Sequence, residues 1–213
     1  MGRVTPERVA LIARHRWLLL LPVLVAGTLL VLVMAWPVLR PAAAPPNILV
    51  AHEIARNGDW DAALNIAKAY VLATPDDPVG HFLLGQCYLY GGKVQLTLAS
   101  GELETALRIH ERTGALGAWE GTVDPLDFLY RVYKIRAVVE LRIVREAMNY
   151  QLPLPFIRRH LLAGIEQVEM GLQLKADDAA LKEMHTAMQK LLEDLRLAPL
   201  PGILPEAAAK LDI

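Results

Sequence analysis

The sequence predicts an all-α protein in which one membrane-spanning helix precedes a solenoid of about seven helices paired as hairpins. Two observations predict the solenoid: apolar residues recur at helical spacing beyond residue 46, and the chain repeats with a period of 34 residues. A third observation predicts the membrane helix. The hydrophobic fraction of 54% and the mean hydropathy of +0.30 are concentrated in one N-terminal run.

The N-terminal run predicts a single-pass signal-anchor helix over residues 17–39. This segment contains no charged residue, and Trp17 and Trp36 stand near its ends, where indoles favour the membrane interface. About 20 apolar residues, rising about 1.5 Å each, match a hydrocarbon core of about 30 Å. A cleavable signal peptide is the alternative, because small residues follow at 42–44. The apolar run is longer than the usual limit of about 15 residues, however, and prolines crowd that site.

The basic residues of the N-terminus determine the expected orientation. Four arginines lie within residues 1–16, and only Arg40 closely follows the apolar run. The positive-inside rule keeps residues 1–16 in the cytoplasm and exports the bulk of the chain. In a bacterium the protein would lie in the inner membrane with its C-terminal domain in the periplasm. In a eukaryote that domain would face a lumen or the cell exterior. Residues 40–46 form a linker of proline and alanine.

The exported part is mildly acidic. Five of the 22 Lys and Arg residues and one of the 23 Asp and Glu residues precede residue 41, which leaves a net charge of −5. This balance argues against nucleic acid as a general partner. Cys87 is the only cysteine, so no intrachain disulfide forms, and we expect a small buried hydrophobic residue.

Local patterns place the first helices of the exported part. Residues 47–57 predict a first helix that ends at Gly58, and Asp59 caps a second helix that ends before Pro75. The Asp-Asp-Pro sequence at residues 76–78 then caps a third helix, which ends at a glycine pair. Because the turns are short, consecutive helices are expected to be antiparallel.

The 34-residue period carries a resemblance to a known family. Sliding the chain against itself places Gly58 on Gly92 and Ala51 on Gly85. Residues 163–178 are similar to the second helix and exit of another copy. The pattern resembles the tetratricopeptide repeat, whose first helix is matched by Leu84, Gly85 and Tyr88 and whose turn, second helix and exit are matched by Gly58, Asp59, Trp60, Ala63 and Pro75.

The resemblance implies protein binding rather than catalysis. Small residues such as Ala51, Ala63 and Gly85 let helices approach closely, so each hairpin buries its apolar face against the next. Stacks of this family leave a concave surface that grips a peptide or a partner helix. The pattern fails between Lys93 and Gly121, so the number of repeats stays open.

A long helix predicted over residues 125–150 carries a basic strip beside apolar residues. At about 100° per residue, four cations fall within an arc of about 80°. The strip is either a solvated face, balanced in part by Glu140 and Glu146, or a docking strip for an acidic partner segment or lipid headgroups. The candidate partner-binding residues are these four cations and two arginines that follow: Arg131, Lys134, Arg142, Arg145, Arg158 and Arg159.

No catalytic, cofactor or metal site is expected. Ser100 is the sole serine and lies in no nucleophile elbow, and neither HExxH nor CxxC occurs. The six histidines are scattered along the chain. Glu183 and His185 face different ways on one helix, and a pair such as Glu166 and Glu169 usually marks a solvated surface.

The sequence therefore predicts a membrane-anchored scaffold or assembly factor for a membrane or envelope complex, with no enzymatic activity. Its tetratricopeptide-like domain spans residues 47–196, the last helix begins near residue 179, and residues 197–213 form a tail or cap. One alternative is a stoichiometric structural subunit whose membrane helix packs through Gly27 and Thr28. The other, less favoured, is an envelope enzyme with an unrecognised site. The residues specify neither the partner's identity nor the oligomeric state.

Overall fold

The computed structural model describes residue 26 and residues 46–197. Apart from residue 26, the predicted membrane helix lies outside the described residues, as do its basic N-terminal flank and the tail beyond residue 197. Within the described part the chain forms seven α-helices and one short 3-10 helix, with no strand. None of the helices in that part is both long enough and apolar enough to cross a membrane.

The observed helix bounds agree closely with the sequence patterns for the first three helices, for the long helix that begins at residue 125 and for the last helix. An all-α fold with seven helices is confirmed for residues 46–197, although the predicted membrane helix is not among them. The helices are α1 Ile48–Arg56, α2 Trp60–Ala73, α3 Pro78–Tyr90, α4 Leu96–Thr113, α5 Pro125–Asn149, α6 Leu154–Leu174 and α7 Ala179–Leu197, with the 3-10 helix at Gly117–Trp119.

Side-chain caps and one glycine determine several of these bounds. Helices α1, α2, α3 and α5 each begin at an Asn or Asp whose side-chain oxygen accepts a backbone N–H of the first turn, a contact worth about 1 kcal/mol. Gly58 has φ of 89° and donates its N–H to the Ala55 carbonyl at 2.9 Å. The left-handed backbone at this glycine ends α1. The four capping residues are Asn47, Asp59, Asp77 and Asp124.

Consecutive helices pack antiparallel. In the α5–α6 hairpin, Gly164 lies against Glu140 while Gly171 lies near Tyr133, so residue numbers rise along one helix as they fall along the other. Contacts between α2 and α3, and between α6 and α7, reverse in the same way. Short turns join α1 to α2 and α2 to α3, so α1 and α3 run the same way. Helices α3 and α5 also run the same way, because Phe82 contacts Phe128 and Leu89 contacts Arg142, and α3 contacts both α1 and α5.

Helix α4 occupies much of the segment in which the repeat pattern fails. It packs along α3, where a Cβ on Gly85 would lie 2.8 Å from Leu103 Cγ and 3.2 Å from the Ala99 carbonyl oxygen. The absence of a side chain at Gly85 therefore determines how closely α3 and α4 approach. The other residues that the repeat pattern assigns to helix packing differ in their burial. Ala51, Ala63, Leu84 and Tyr88 are buried, Trp60 is half-buried, and Gly58 and Pro75 are exposed.

A partly buried polar contact also joins α3 to α4. His81 Nδ1 lies 2.6 Å from Glu102 Oε2, and His81 Nε2 lies 2.9 Å from the Pro75 carbonyl oxygen. Burial lowers the pKa of His81, but hydrogen bonds to these two acceptors outweigh it and raise the pKa above its ordinary value. Both ring nitrogens can donate only in the imidazolium form, so the geometry favours charged His81.

Two apolar clusters fill the stack, and α5 contributes to both. The first contains an aromatic centre, in which the Phe82 ring meets Phe128 at 5.7 Å and Trp119 at 5.8 Å, both edge to face. Cys87 lies buried in this cluster, and burial raises the pKa of its thiol to about 12, as expected of a small hydrophobic residue. The second cluster joins α5, α6 and α7.

Candidate partner-binding groove

Helices α1, α3 and α5 border a groove that contains a cavity of about 310 Å³. Helix α1 contributes His52, and α3 contributes Phe82 and Gln86. The turn between α6 and α7 contributes Lys175. The other lining residues lie on α5 at spacings of one, three and four residues, which place them on one helix face: Asp127, Tyr130, Arg131, Lys134 and Ile135.

Arg131 is held at the groove by a weak ion pair. Its Nη2 lies 2.7 Å from Asp127 Oδ2, one turn earlier on α5, and the two side chains are 45% and 38% exposed. Its guanidinium also lies 5.8 Å from the centre of the Trp119 ring. An exposed pair at this spacing is worth about 0.3–0.5 kcal/mol, so an incoming anion can compete with Asp127 for Arg131.

Lys134 is held much more firmly. Its Nζ lies 2.7 Å from Asp178 Oδ2 and 3.2 Å from the Tyr130 hydroxyl oxygen, and that hydroxyl donates to the same carboxylate. The Leu181 N–H donates to the second Asp178 oxygen at 3.0 Å. The Asp178 side chain is only 8% exposed. Lys134 therefore joins α5 to the start of α7.

The pKa values agree with this geometry. Burial alone raises the pKa of Asp178, but hydrogen bonds from Lys134, the Tyr130 hydroxyl and the Leu181 N–H hold it well below its usual range. Burial lowers the pKa of Lys134, yet the hydrogen bonds to Asp178 and Tyr130 raise it overall. Both charges therefore persist near neutral pH, and each compensates the other.

Lys175 and His52 complete the polar lining. Lys175 Nζ lies 4.8 Å from the centre of the Tyr130 ring, and its ammonium forms no ion pair within residues 46–197. The His52 ring meets Trp119 edge to face at 5.3 Å. Burial first, and then the charges of Arg56 and Arg131, lower the pKa of His52, so the imidazole is neutral at pH 7.

The six cations expected to bind a partner are not brought together. Arg131 and Lys134 line the groove, whereas Arg142 is half-buried and donates through Nη1 to the Leu89 carbonyl at 3.0 Å. Arg145 is exposed on α5. Arg158 and Arg159 are exposed on α6, where the Arg159 guanidinium lies over the Phe156 ring. These last four residues do not line the cavity.

Seven of the nine lining residues are not among the partner-binding residues predicted from the sequence: His52, Phe82, Gln86, Asp127, Tyr130, Ile135 and Lys175. The sequence does contain a pattern that finds two of them, because His52 and Gln86 are 34 residues apart and so occupy equivalent positions in the repeat. Phe82 lies on α3 among apolar residues, and Lys175 lies in a turn. No periodic pattern within one helix predicts either residue at the groove.

Residues 46–197 contain no group of three or more His, Cys, Asp or Glu side chains arranged to hold a metal ion. His185 Nε2 lies 3.3 Å from Glu169 Oε1 on the neighbouring helix. That contact is an exposed side-chain pair, and together with Glu183 it does not form such a group.

Comparison of the chain with models of known protein families, with curated proteins and with solved structures yields no significant match. The tetratricopeptide resemblance accordingly stays a prediction from residues such as Leu84, Gly85 and Tyr88. The candidate site is therefore defined by its own geometry.

Proposed function

We propose that this protein is a membrane-anchored, tetratricopeptide-like docking protein that holds a segment of a protein partner in the groove between α1, α3 and α5. It would act as a scaffold or assembly factor for a membrane or envelope complex. The observation that carries the proposal is the groove itself. A cavity of about 310 Å³ lies between three co-directional helices and combines apolar, aromatic and cationic side chains.

The size and lining of the cavity suit a few side chains of a partner segment. Its volume lies at the lower end of the range of about 300–1,000 Å³ for ligand sites, and those sites combine apolar walls with a few polar groups. Phe82, Tyr130 and Ile135 form apolar walls, while Gln86 offers an amide to a partner backbone. Because the lining side chains lie mostly on packed helices, the groove is largely preformed, which lowers the entropy cost of binding.

The predicted membrane anchor supports the scaffold role. A helix over residues 17–39 would confine the docking domain near the bilayer. Confinement raises the effective concentration of the groove for partners in the same membrane, so modest groove affinity suffices for stable association.

Filling the groove provides the test. Gln86 is half-buried and its side chain forms no hydrogen bond within the described residues. A Gln86→Trp substitution places an indole in the cavity without changing charge. The full-length chain is purified from its native membrane in mild detergent, and the amount of co-purified partner is measured by quantitative mass spectrometry. We expect the substitution to lower that amount by about tenfold or more.

Gln173→Trp is the matched control, because Gln173 is exposed on α6 and does not line the cavity. This variant should retain the partner at the level of the unmodified chain. A partner that is retained equally by both variants would contradict groove docking and favour a structural subunit that associates through its membrane helix.

A further inference from the structure

We infer that the groove recognises an acidic partner segment, with one carboxylate bound between Arg131 and Lys175 and an adjacent apolar side chain packed against Phe82 and Ile135. The inference rests on the proposed docking function and names the chemistry of the partner. Three features support it: the availability of two cations, the commitment of a third to the fold, and the rigid aromatic wall beside them.

The two available cations are Arg131 and Lys175. The Lys175 ammonium has no ion pair within residues 46–197 and lies 4.8 Å from the centre of the Tyr130 ring. Arg131 has Asp127, but that pair is exposed and worth well under about 1 kcal/mol. A carboxylate that bridges Arg131 and Lys175 would gain two charge-assisted contacts and would need to displace only the weaker pair.

Lys134 is not available to a ligand, although it lines the same cavity. Its ammonium is compensated by Asp178, and the Tyr130 hydroxyl completes that arrangement. If Lys134 moved away to bind a ligand, the Asp178 carboxylate would lose its compensating charge while its side chain is only 8% exposed, which is unfavourable. Lys134 is therefore a positioning residue, since it fixes the Tyr130 ring over which Lys175 lies.

Charge complementarity favours an anion over other ligands. The charged groups at the groove are Arg131, Lys134 and Lys175 against Asp127 and Asp178, with His52 neutral at pH 7. One positive charge is thus left uncompensated, and it is carried by the least constrained of the cations. A single carboxylate neutralises it, whereas a cationic segment would add repulsion.

The apolar wall provides the second half of the recognition. Phe82 is buried and its ring is held edge to face by Phe128 and Trp119, so it cannot move aside. Ile135 is half-buried and lies one helical turn beyond Arg131 on α5. An apolar side chain next to the bound carboxylate would cover Ile135 beside the buried Phe82 ring and exclude water from the ion pair.

The test measures binding of a short fluorescein-labelled peptide of glutamate and leucine to the full-length chain in detergent micelles, by fluorescence anisotropy. The reference peptide has glutamine in place of every glutamate. We expect the acidic peptide to bind at least about tenfold more tightly than the reference, with an affinity that falls as salt is added. The double variant Arg131→Ala/Lys175→Ala should lose that preference.

Two further variants separate recognition from unfolding. Arg108→Ala/Lys190→Ala removes an equal charge from exposed positions on α4 and α7, and it should keep the preference. Asp127→Asn releases Arg131 and removes a repelling carboxylate, so it should tighten binding of the acidic peptide about threefold or more. A gain of affinity cannot result from an unfolded groove.

The outcomes distinguish the inference from the docking function beneath it. Equal binding of both peptides, abolished by Gln86→Trp, would keep groove docking and overturn acidic recognition. Failure of both peptides to bind would overturn it as well. A preference for the acidic peptide that survives in Arg131→Ala/Lys175→Ala would place recognition elsewhere. A further outcome would identify a lipid headgroup as the ligand instead. In that case the unmodified chain binds vesicles containing anionic phospholipid but does not bind the acidic peptide, and the double variant no longer binds the vesicles.

Discussion

Replacing Asp178 by alanine is expected to lower the free energy of unfolding by about 3 kcal/mol, because two contributions are lost together. The carboxylate compensates the charge of Lys134, whose side chain is one-third exposed. The contribution of this ion pair to stability is therefore intermediate between that of a surface pair and that of a buried pair. The same side chain caps α7 by accepting the Leu181 N–H. Urea denaturation of the full-length chain in detergent, followed by tryptophan fluorescence, measures the change.

The pH dependence of this loss has a definite sign. The folded chain holds the pKa of Asp178 below its ordinary value. Its contribution is therefore complete above about pH 4, the ordinary carboxyl pKa, and is lost as the pH falls through the depressed value. The difference in unfolding free energy between Asp178→Ala and the unmodified chain should be the same at about pH 7 and at about pH 5. It should become smaller below about pH 4.

Two companion variants test the assignment. Asp177→Ala changes the exposed neighbouring residue and should shift the unfolding free energy by less than about 0.5 kcal/mol. Asp178→Asn keeps an oxygen acceptor for the Leu181 N–H and should lose about 1 kcal/mol less than alanine does. Equal stability of Asp178→Ala and Asp177→Ala would show that the contact with Lys134 contributes nothing.

Replacing Gly85 by alanine is expected to lower the free energy of unfolding by about 2 kcal/mol, although alanine favours helices by about 1 kcal/mol over glycine. The new Cβ would lie 2.8 Å from Leu103 Cγ and 3.2 Å from the Ala99 carbonyl oxygen. Leu103 Cγ is a branching carbon at 0% exposure, and the carbonyl belongs to the α4 backbone, so neither can move without shifting α4.

Gly171→Ala is the matched control for this effect. A Cβ at Gly171 would also lie 2.8 Å from a leucine carbon, but this carbon is the terminal Cδ1 of Leu181, and the next atom is Tyr133 Cβ at 3.8 Å. The Leu181 side chain can adjust, so we expect a change within about 0.5 kcal/mol. Thermal unfolding of the two variants side by side checks the contrast. Equal destabilisation would contradict the assigned difference in packing.

The helix ends could be predicted from the sequence because local chemistry determines them. Asp59, Asp77 and Asp124 cap the helices that follow, and Gly58 has the left-handed backbone that ends α1. These contacts span a few residues, so the residue types carry the information. The same holds for α5, whose start and length follow from Asp124 and the apolar spacing.

Helix α4 could not be assigned with the same ease. Its N-cap, Gln95, forms no side-chain capping bond, and Gly101 interrupts its helix-forming residues. What stabilises α4 is packing, since Ala99, Leu103 and Ala106 are fully buried in the first cluster. Tertiary contacts of this kind cannot be predicted from a single sequence when the segment does not match the repeat pattern.

The groove was only partly predictable for a related reason. Arg131 and Lys134 could be found because they share one face of a single helix. Arg142 lies on that face too, but in the structure its guanidinium donates a hydrogen bond to the Leu89 carbonyl, which is distant in sequence. Lys175 reaches the groove only because the α6–α7 turn folds back beside Tyr130. Contacts that join separate elements depend on the tertiary arrangement and leave no local pattern.

The central claim is that a protein partner occupies the groove between α1, α3 and α5. Photo-crosslinking in the native membrane tests it most directly, with a benzophenone side chain incorporated at position 86 in the groove or at exposed position 173 on α6. We expect a discrete adduct with one partner from position 86 and none from position 173. Adducts of equal yield from both positions, or adducts from position 173 alone, would contradict groove docking.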